Sequence, residues 1–182
     1  CYVKLKPEIE VKNRVNTSRL HARIIHSACG DSSDYQDSAE NLKIKSALKV
    51  KAQIIFDSVK QLNFRAKGYR LTGGFHVAAI YKSDSELVAL AEDVGRHNAV
   101  DKVIGIAALN DIDFGVCFLA LSGRISGDVV FKAANVGLPI IASLSAALSS
   151  GITMAESVNL TVAGFVRGKR TNIYTCPERI EI

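Results

Sequence analysis

From residue 75 to the C-terminus the chain repeats one phrase: a short apolar run, a turn holding glycine or serine, then helical periodicity. Apolar runs stand at 75–81, 87–91, 116–121, 139–144, 161–166 and, shorter, 172–175, and helical spacing covers 99–109, 128–135 and 146–158. Strands alternating with helices at this spacing predict an α/β fold, a three-layer mixed sheet, mostly parallel, with helices on both faces. The first two runs are separated only by a short turn around Ser83-Asp-Ser85 and read as an antiparallel hairpin. Upstream, Ala47, Leu48, Ile54, Ile55, Phe56, Val59 and Leu62 fit one helical face over 44–62. Residues 1–26 read as a small N-terminal β segment, and the polar stretch 27–41 as a mobile loop carrying Cys29. At 182 residues, 1–182 fits a single α/β domain whose core is 44–182.

Composition excludes several classes. With 48% hydrophobic and 23% charged residues a packed globule is expected rather than disorder. No apolar run approaches the ~20 residues of a membrane span, and no secretory leader core is present. Opening at Cys1 without methionine points to residues upstream of this sequence. Cys1, Cys29, Cys117 and Cys176 form no CxxC pair, which argues against a zinc ribbon or a disulfide scaffold and for a reducing cytoplasm. The net charge of +5 is concentrated in basic ends around an acidic middle. Without tryptophan or basic-aromatic interleaving, no single-strand nucleic-acid groove is indicated.

The unusual polar residues fall where strands hand over to helices, the edge at which open α/β sheets bind ligands. Glu92-Asp-Val-Gly-Arg-His-Asn98 follows one strand, with Asn98 and Asp101 as a cap-like pair. Ser122-Gly-Arg-Ile-Ser126 follows the next, with Ser126 as cap, and Ser145 is placed to cap after the third. Each junction alone is ordinary punctuation. Arg96 and Arg124 beside them add positive charge suited to phosphate, whereas Glu92 and Asp93 would repel it and are expected to orient neighbours rather than transfer protons. Thr72-Gly-Gly-Phe-His76 makes a tight turn before a strand, and His76 reads either as a core histidine or as part of the cleft. The spacing of His76, His97 and the cysteines defines no metal site. Gly164-Phe-Val-Arg-Gly-Lys-Arg170 sets three cations within four residues at a strand end, which is a solvated basic turn or a phosphate clamp. Cys117 lies in an apolar run, Cys1 and Cys176 are near the termini, and Cys29 alone sits in a polar loop where a thiolate could react.

Four ordered blocks, Thr72-Gly-Gly-Phe-His76, Glu92-Asp-Val-Gly-Arg-His-Asn-Ala-Val-Asp-Lys102, Ser122-Gly-Arg-Ile-Ser126 and Gly164-Phe-Val-Arg-Gly-Lys-Arg-Thr-Asn-Ile-Tyr174, resemble the formate dehydrogenase accessory sulfurtransferases. The resemblance implies a cytidine deaminase-like core, usually dimeric. It implies a protein that takes sulfur from a cysteine desulfurase as a persulfide on Cys29 and passes it to the bis-molybdopterin guanine dinucleotide form of the molybdenum cofactor, for use by formate dehydrogenase. The stretch Phe165, Val166, Arg167, Gly168, Lys169 and Arg170 matches the family's cofactor-binding segment, and a GDP- or GTP-like nucleotide would mimic the cofactor's guanine end. His76, Arg96, Ser122 and Arg124 are the further residues expected in that cleft. The family's CGxCG loop reads Cys29-Gly-Asp-Ser-Ser33 here, so Ser32 replaces the second cysteine. That difference leaves a non-catalytic, cofactor-binding chaperone as the alternative.

Overall fold

The computed structural model describes residues 42–182. The expected N-terminal strands, the loop 27–41 and Cys29 lie outside the described residues. The centre is a six-stranded sheet, with β2 (His76–Lys82), β3 (Leu87–Asp93), β4 (Cys117–Leu121), β5 (Ile140–Ser143), β6 (Thr161–Arg167) and β7 (Arg170–Thr175) in the order β3-β2-β4-β5-β6-β7. β4, β5 and β6 are parallel, while β2 and β7 run antiparallel to their neighbours, so two of the five pairings are parallel and the sheet is mixed rather than mostly parallel. The expected hairpin is the β2–β3 pair, in register from His76↔Asp93.

Burial explains the layering. β4 and β5 are buried at every position, the pattern of strands covered on both faces. One face carries helices α3 (Arg96–Leu109), α4 (Gly127–Asn135) and α5 (Ser149–Ser157), joined through Val103, Ala107, Val130, Ala133 and Ala155 to Ile80, Leu119 and Ile141. The other carries α1 (Ala52–Arg65), whose Ile55, Val59 and Leu62 at helical spacing pack on Val77, Phe118 and Ile140. Beneath it the rings of Tyr81 and Phe118 stack with centroids 5.6 Å apart. No helix among the described residues is long and apolar enough to cross a membrane.

Several elements differ from expectation. The helix expected from 44 begins at Ala52. Before it, 43–51 alternates exposed lysines with inward Ile44, Ser46, Leu48 and Val50, and ends in β1 (Val50–Lys51), which pairs in parallel with β8 (Ile180–Glu181). Ile44 donates its N–H to Val158 and the Ser46 hydroxyl donates to the carbonyl of Gly115, so this strap is held extended by the core. A second helix, α2 (Lys67–Thr72), follows α1 and ends at Gly73, whose φ of 69° is the left-handed cap that glycine favours. The helix expected from 146 begins at Ser149, because 146–148 bonds sideways to Ile125 instead.

Candidate functional site

The ends of β3, β4, β5 and β6, and the start of β2, all lie at one edge of the sheet. The polar blocks singled out in the sequence are therefore brought to one side, in two clusters.

The first cluster surrounds Gly123. Ser122 follows β4 and is fixed twice to Val77: its own N–H donates to the Val77 carbonyl (3.0 Å), and its Oγ accepts the Val77 N–H (2.9 Å). The same Oγ lies 3.5 Å from His76 Nδ1. A Cβ on Gly123 would stand 3.0 Å from Arg96 Cβ and 3.3 Å from His76 Nδ1, so a side chain there would push these neighbours by a few tenths of an ångström. His76, Arg96, Gly123 and Arg124 line a small cavity of about 10 Å³, the scale of one water. Burial, then the guanidinium groups of Arg96 and Arg124, push the His76 pKa below its usual 6.5, so the ring is neutral at pH 7.

The second cluster is the β6–β7 hairpin, which turns at Gly168 (φ 61°). Arg170 opens β7, so the basic run is a hairpin rather than a terminal turn. Arg167, Gly168, Lys169 and Arg170 are exposed, and none of the three cations forms an ion pair among the described residues. The register slips between Gly164 and Arg167, and Phe165 sits in that bulge at φ 52°, its ring 42% exposed and its N–H donated to the Ser145 carbonyl. A bulky residue in the left-handed region is a strained one. Val166 points the other way and is core. With β4 and β5 between β2 and β6, the two clusters stand roughly 14 Å apart at one strand spacing per step.

Glu92 and Asp93 hold the framework. A Glu92 carboxylate oxygen accepts the Tyr69 N–H at 3.1 Å, and Asp93 accepts from the Gly95 N–H (2.8 Å), the Asn98 amide (3.1 Å) and Lys102 (2.5 Å). Lys102 first, then the Gly95 N–H, lowers the Asp93 pKa to about 2. The expected Asn98–Asp101 cap is not formed, because Asn98 turns back to Asp93 while Asp101 pairs with Lys132 of α4 (2.5 Å). Ser126 occupies the N-cap position of α4, but its Oγ has no hydrogen-bond partner among the described residues. Ser145 caps no helix: its N–H donates to Ser143 Oγ (3.0 Å).

That Ser143 hydroxyl, fully buried, is the residue sequence reasoning missed. It donates to the Gly123 carbonyl at 2.6 Å and accepts from Ser145, so it latches the loop of the first cluster to the loop beneath Phe165. The signal was a hydroxyl ending an otherwise apolar run.

Neither described cysteine favours a thiolate. Burial pushes Cys117 up to about 11, and burial followed by Glu178 raises Cys176. Among the described residues no group of His, Cys, Asp or Glu converges as a metal set. A groove of about 810 Å³, lined by 42–48 and by Asp113, Gly115 and Val116, opens at the opposite end of the strands. It holds none of the phosphate-directed residues.

Fold and site together define an α/β/α domain that presents paired basic clusters along one strand edge. The FdhD/NarQ family model matches residues 2–181, and the chain belongs to that family. It is 41% identical over 174 residues to a sulfur carrier protein FdhD from Saccharolobus solfataricus, covering 94% of this chain and 67% of that one. Another protein of that name, from Halalkalibacterium halodurans, is 36% identical across 99% of this chain and 66% of its own length. A crystal structure of a candidate formate dehydrogenase accessory protein from Desulfotalea psychrophila superposes with a TM-score of 0.71 at 28% identity, covering 77% of this chain and 62% of that one. The chain thus spans about half to three-quarters of the length of its relatives.

Proposed function

We propose that this chain is a sulfur carrier that serves formate dehydrogenase, with the bis-molybdopterin guanine dinucleotide cofactor bound along the strand edge as its substrate. The exposed cations Arg167, Lys169 and Arg170, left without carboxylate partners among the described residues, carry this reading. A row of unpaired cations beside a strained, exposed aromatic suits a ligand with a phosphate next to a flat base. The first cluster, roughly 14 Å along the edge, suits a second phosphate of a long ligand. The relatives' name supplies the sulfur-carrier half; the two described thiols are poor candidates, and Cys29, which stands at the first cysteine of the family's CGxCG loop, is assigned the role.

In this reading the Cys29 thiolate attacks the outer sulfur of a persulfide on a cysteine desulfurase. A new S–S bond forms at Cys29, and the desulfurase cysteine leaves as thiolate. The persulfide is then the donor to the cofactor. Incubation with a cysteine desulfurase and cysteine, read by mass spectrometry, is expected to add one sulfur to Cys29; an unmodified Cys29 overturns the carrier role.

Ser32 in place of a second loop cysteine favours one other reading, a chaperone that binds and delivers the cofactor without handing on sulfur. Complementation separates the two. If Cys29→Ala still activates formate dehydrogenase in cells, delivery suffices and the carrier reading fails.

A further inference from the structure

The contacts around Ser122 favour one hydrogen-bond layout among the described residues. Ser122 Oγ already accepts the Val77 N–H at 2.9 Å, which leaves the hydroxyl one hydrogen to give. Among the described residues the acceptor within reach is His76 Nδ1, at 3.5 Å. Were the ring hydrogen on Nδ1 instead, the serine oxygen would accept twice and its own hydrogen would have no acceptor among the described residues. Such a stranded donor in a half-buried place costs free energy. Gly123 lies close against the imidazole, since a Cβ there would stand 3.3 Å from His76 Nδ1.

We infer that Ser122 is a positioning residue that holds His76 as the neutral Nε2–H tautomer, so that the ring offers a hydrogen-bond donor, not a third positive charge, to a phosphate oxygen taken between Arg96 and Arg124. This rests on the cofactor-cleft half of the function proposed above and names the chemistry of its first cluster. The cavity that His76 shares with the two arginines has the volume of one oxygen-sized group. Two guanidinium groups supply the charge there. A neutral donor adds direction without a further cation to desolvate, and the low His76 pKa agrees with it.

The test is nitrogen-15 NMR of histidine-labelled full chain, without ligand, alongside calorimetry with GDP. Wild type is expected to show His76 with a bare Nδ1 and a protonated Nε2. Ser122→Ala should give mixed tautomers, and Ser122→Thr, which keeps the hydroxyl, should restore the single one and so controls for folding. GDP affinity should fall about tenfold in His76→Ala and recover in His76→Gln, whose amide N–H replaces Nε2–H. A hydrogen on Nδ1 in wild type, or a tautomer unmoved by Ser122→Ala, overturns the inference. GDP binding unchanged in His76→Ala overturns its phosphate half and leaves the cleft standing on the hairpin. Wild type failing to bind GDP at all strikes the cleft itself.

Discussion

Two charged loops share one edge of the sheet and spend their charge in opposite ways. After β3 the acidic pair is used up on the framework: Asp93 accepts from Gly95, Asn98 and Lys102, and Glu92 holds the start of α2, while Arg96 at the head of α3 belongs to the first cluster. In the β6–β7 hairpin Arg167, Lys169 and Arg170 are exposed, without ion pairs among the described residues, beside an aromatic held at φ 52°. The acidic pair is conspicuous in sequence yet is scaffold. The hairpin carries strain and self-repulsion, costs that a fold keeps when they serve binding. Sequence conspicuousness and ligand-binding capacity are thus separable properties.

The largest expected effect breaks the hairpin's side of that contrast. Arg167→Ala with Arg170→Ala should weaken GDP binding by about 10- to 100-fold, from two charge-assisted contacts discounted for exposure. The thermal midpoint should stay put, because neither side chain supports the fold. Calorimetry and a melting curve on one sample decide it; unchanged affinity would remove the hairpin from the cleft.

Asp93→Asn should do the reverse. Losing the carboxylate breaks the ion pair with Lys102, which keeps only the Glu92 carbonyl at 3.3 Å, and weakens the hold on the Gly95 N–H, so the thermal midpoint drops. Affinity for GDP at the hairpin should change little. Equal loss of both properties in this variant would show that the two loops are not separable after all.

The layered α/β architecture was legible because period and burial coincide: β4 and β5 are continuous apolar runs and are buried throughout. The strap 43–51 was not. Lys43, Lys45, Lys49 and Lys51 stand at alternating positions, a strand-like period, but Ala47, Leu48 and Ile54 also fit a helical face and the longer pattern prevailed. What decides it is tertiary, the bonds to Val158 and Gly115 and the pairing with Ile180. At the site the junctions were legible and the caps were not. Asn98, Ser126 and Ser145 each sit where a cap is expected, yet each hydrogen-bonding choice depends on a neighbour distant in sequence or on how loops abut. Ser143 was hidden for the same reason, since its partner Gly123 is twenty residues away.

Acid titration sharpens the contrast with a smaller effect. His76 and His97 both have lowered pKa values, from burial first and Arg96 second. The unfolded chain therefore takes up protons near 6.5 that the folded chain refuses, so stability is level above that pH and declines below it. Asp93 adds a second decline as pH falls from 3.8 toward about 2, because its folded form releases its proton more readily than the unfolded chain. Denaturant unfolding at stepped pH should show both declines in wild type and lack the second in Asp93→Asn. Arg167→Ala with Arg170→Ala should leave the curve unmoved, since neither guanidinium is among the charges that shift His76, His97 or Asp93.

The smallest effect concerns Phe165 and tests whether the hairpin's strain is kept for binding. Glycine adopts φ 52° freely, so Phe165→Gly removes the conformational cost of that position, about 1 kcal/mol. It also frees the unfolded chain and deletes a half-exposed ring, which offset part of the gain. The net change in stability should be within about 1 kcal/mol of zero. If the ring is the base platform, GDP affinity falls severalfold in the same variant, and Phe165→Tyr keeps it. A large loss of stability in Phe165→Gly would mean that the ring supports the fold, and the strained bulge would then belong with Asp93 on the scaffold side of the edge.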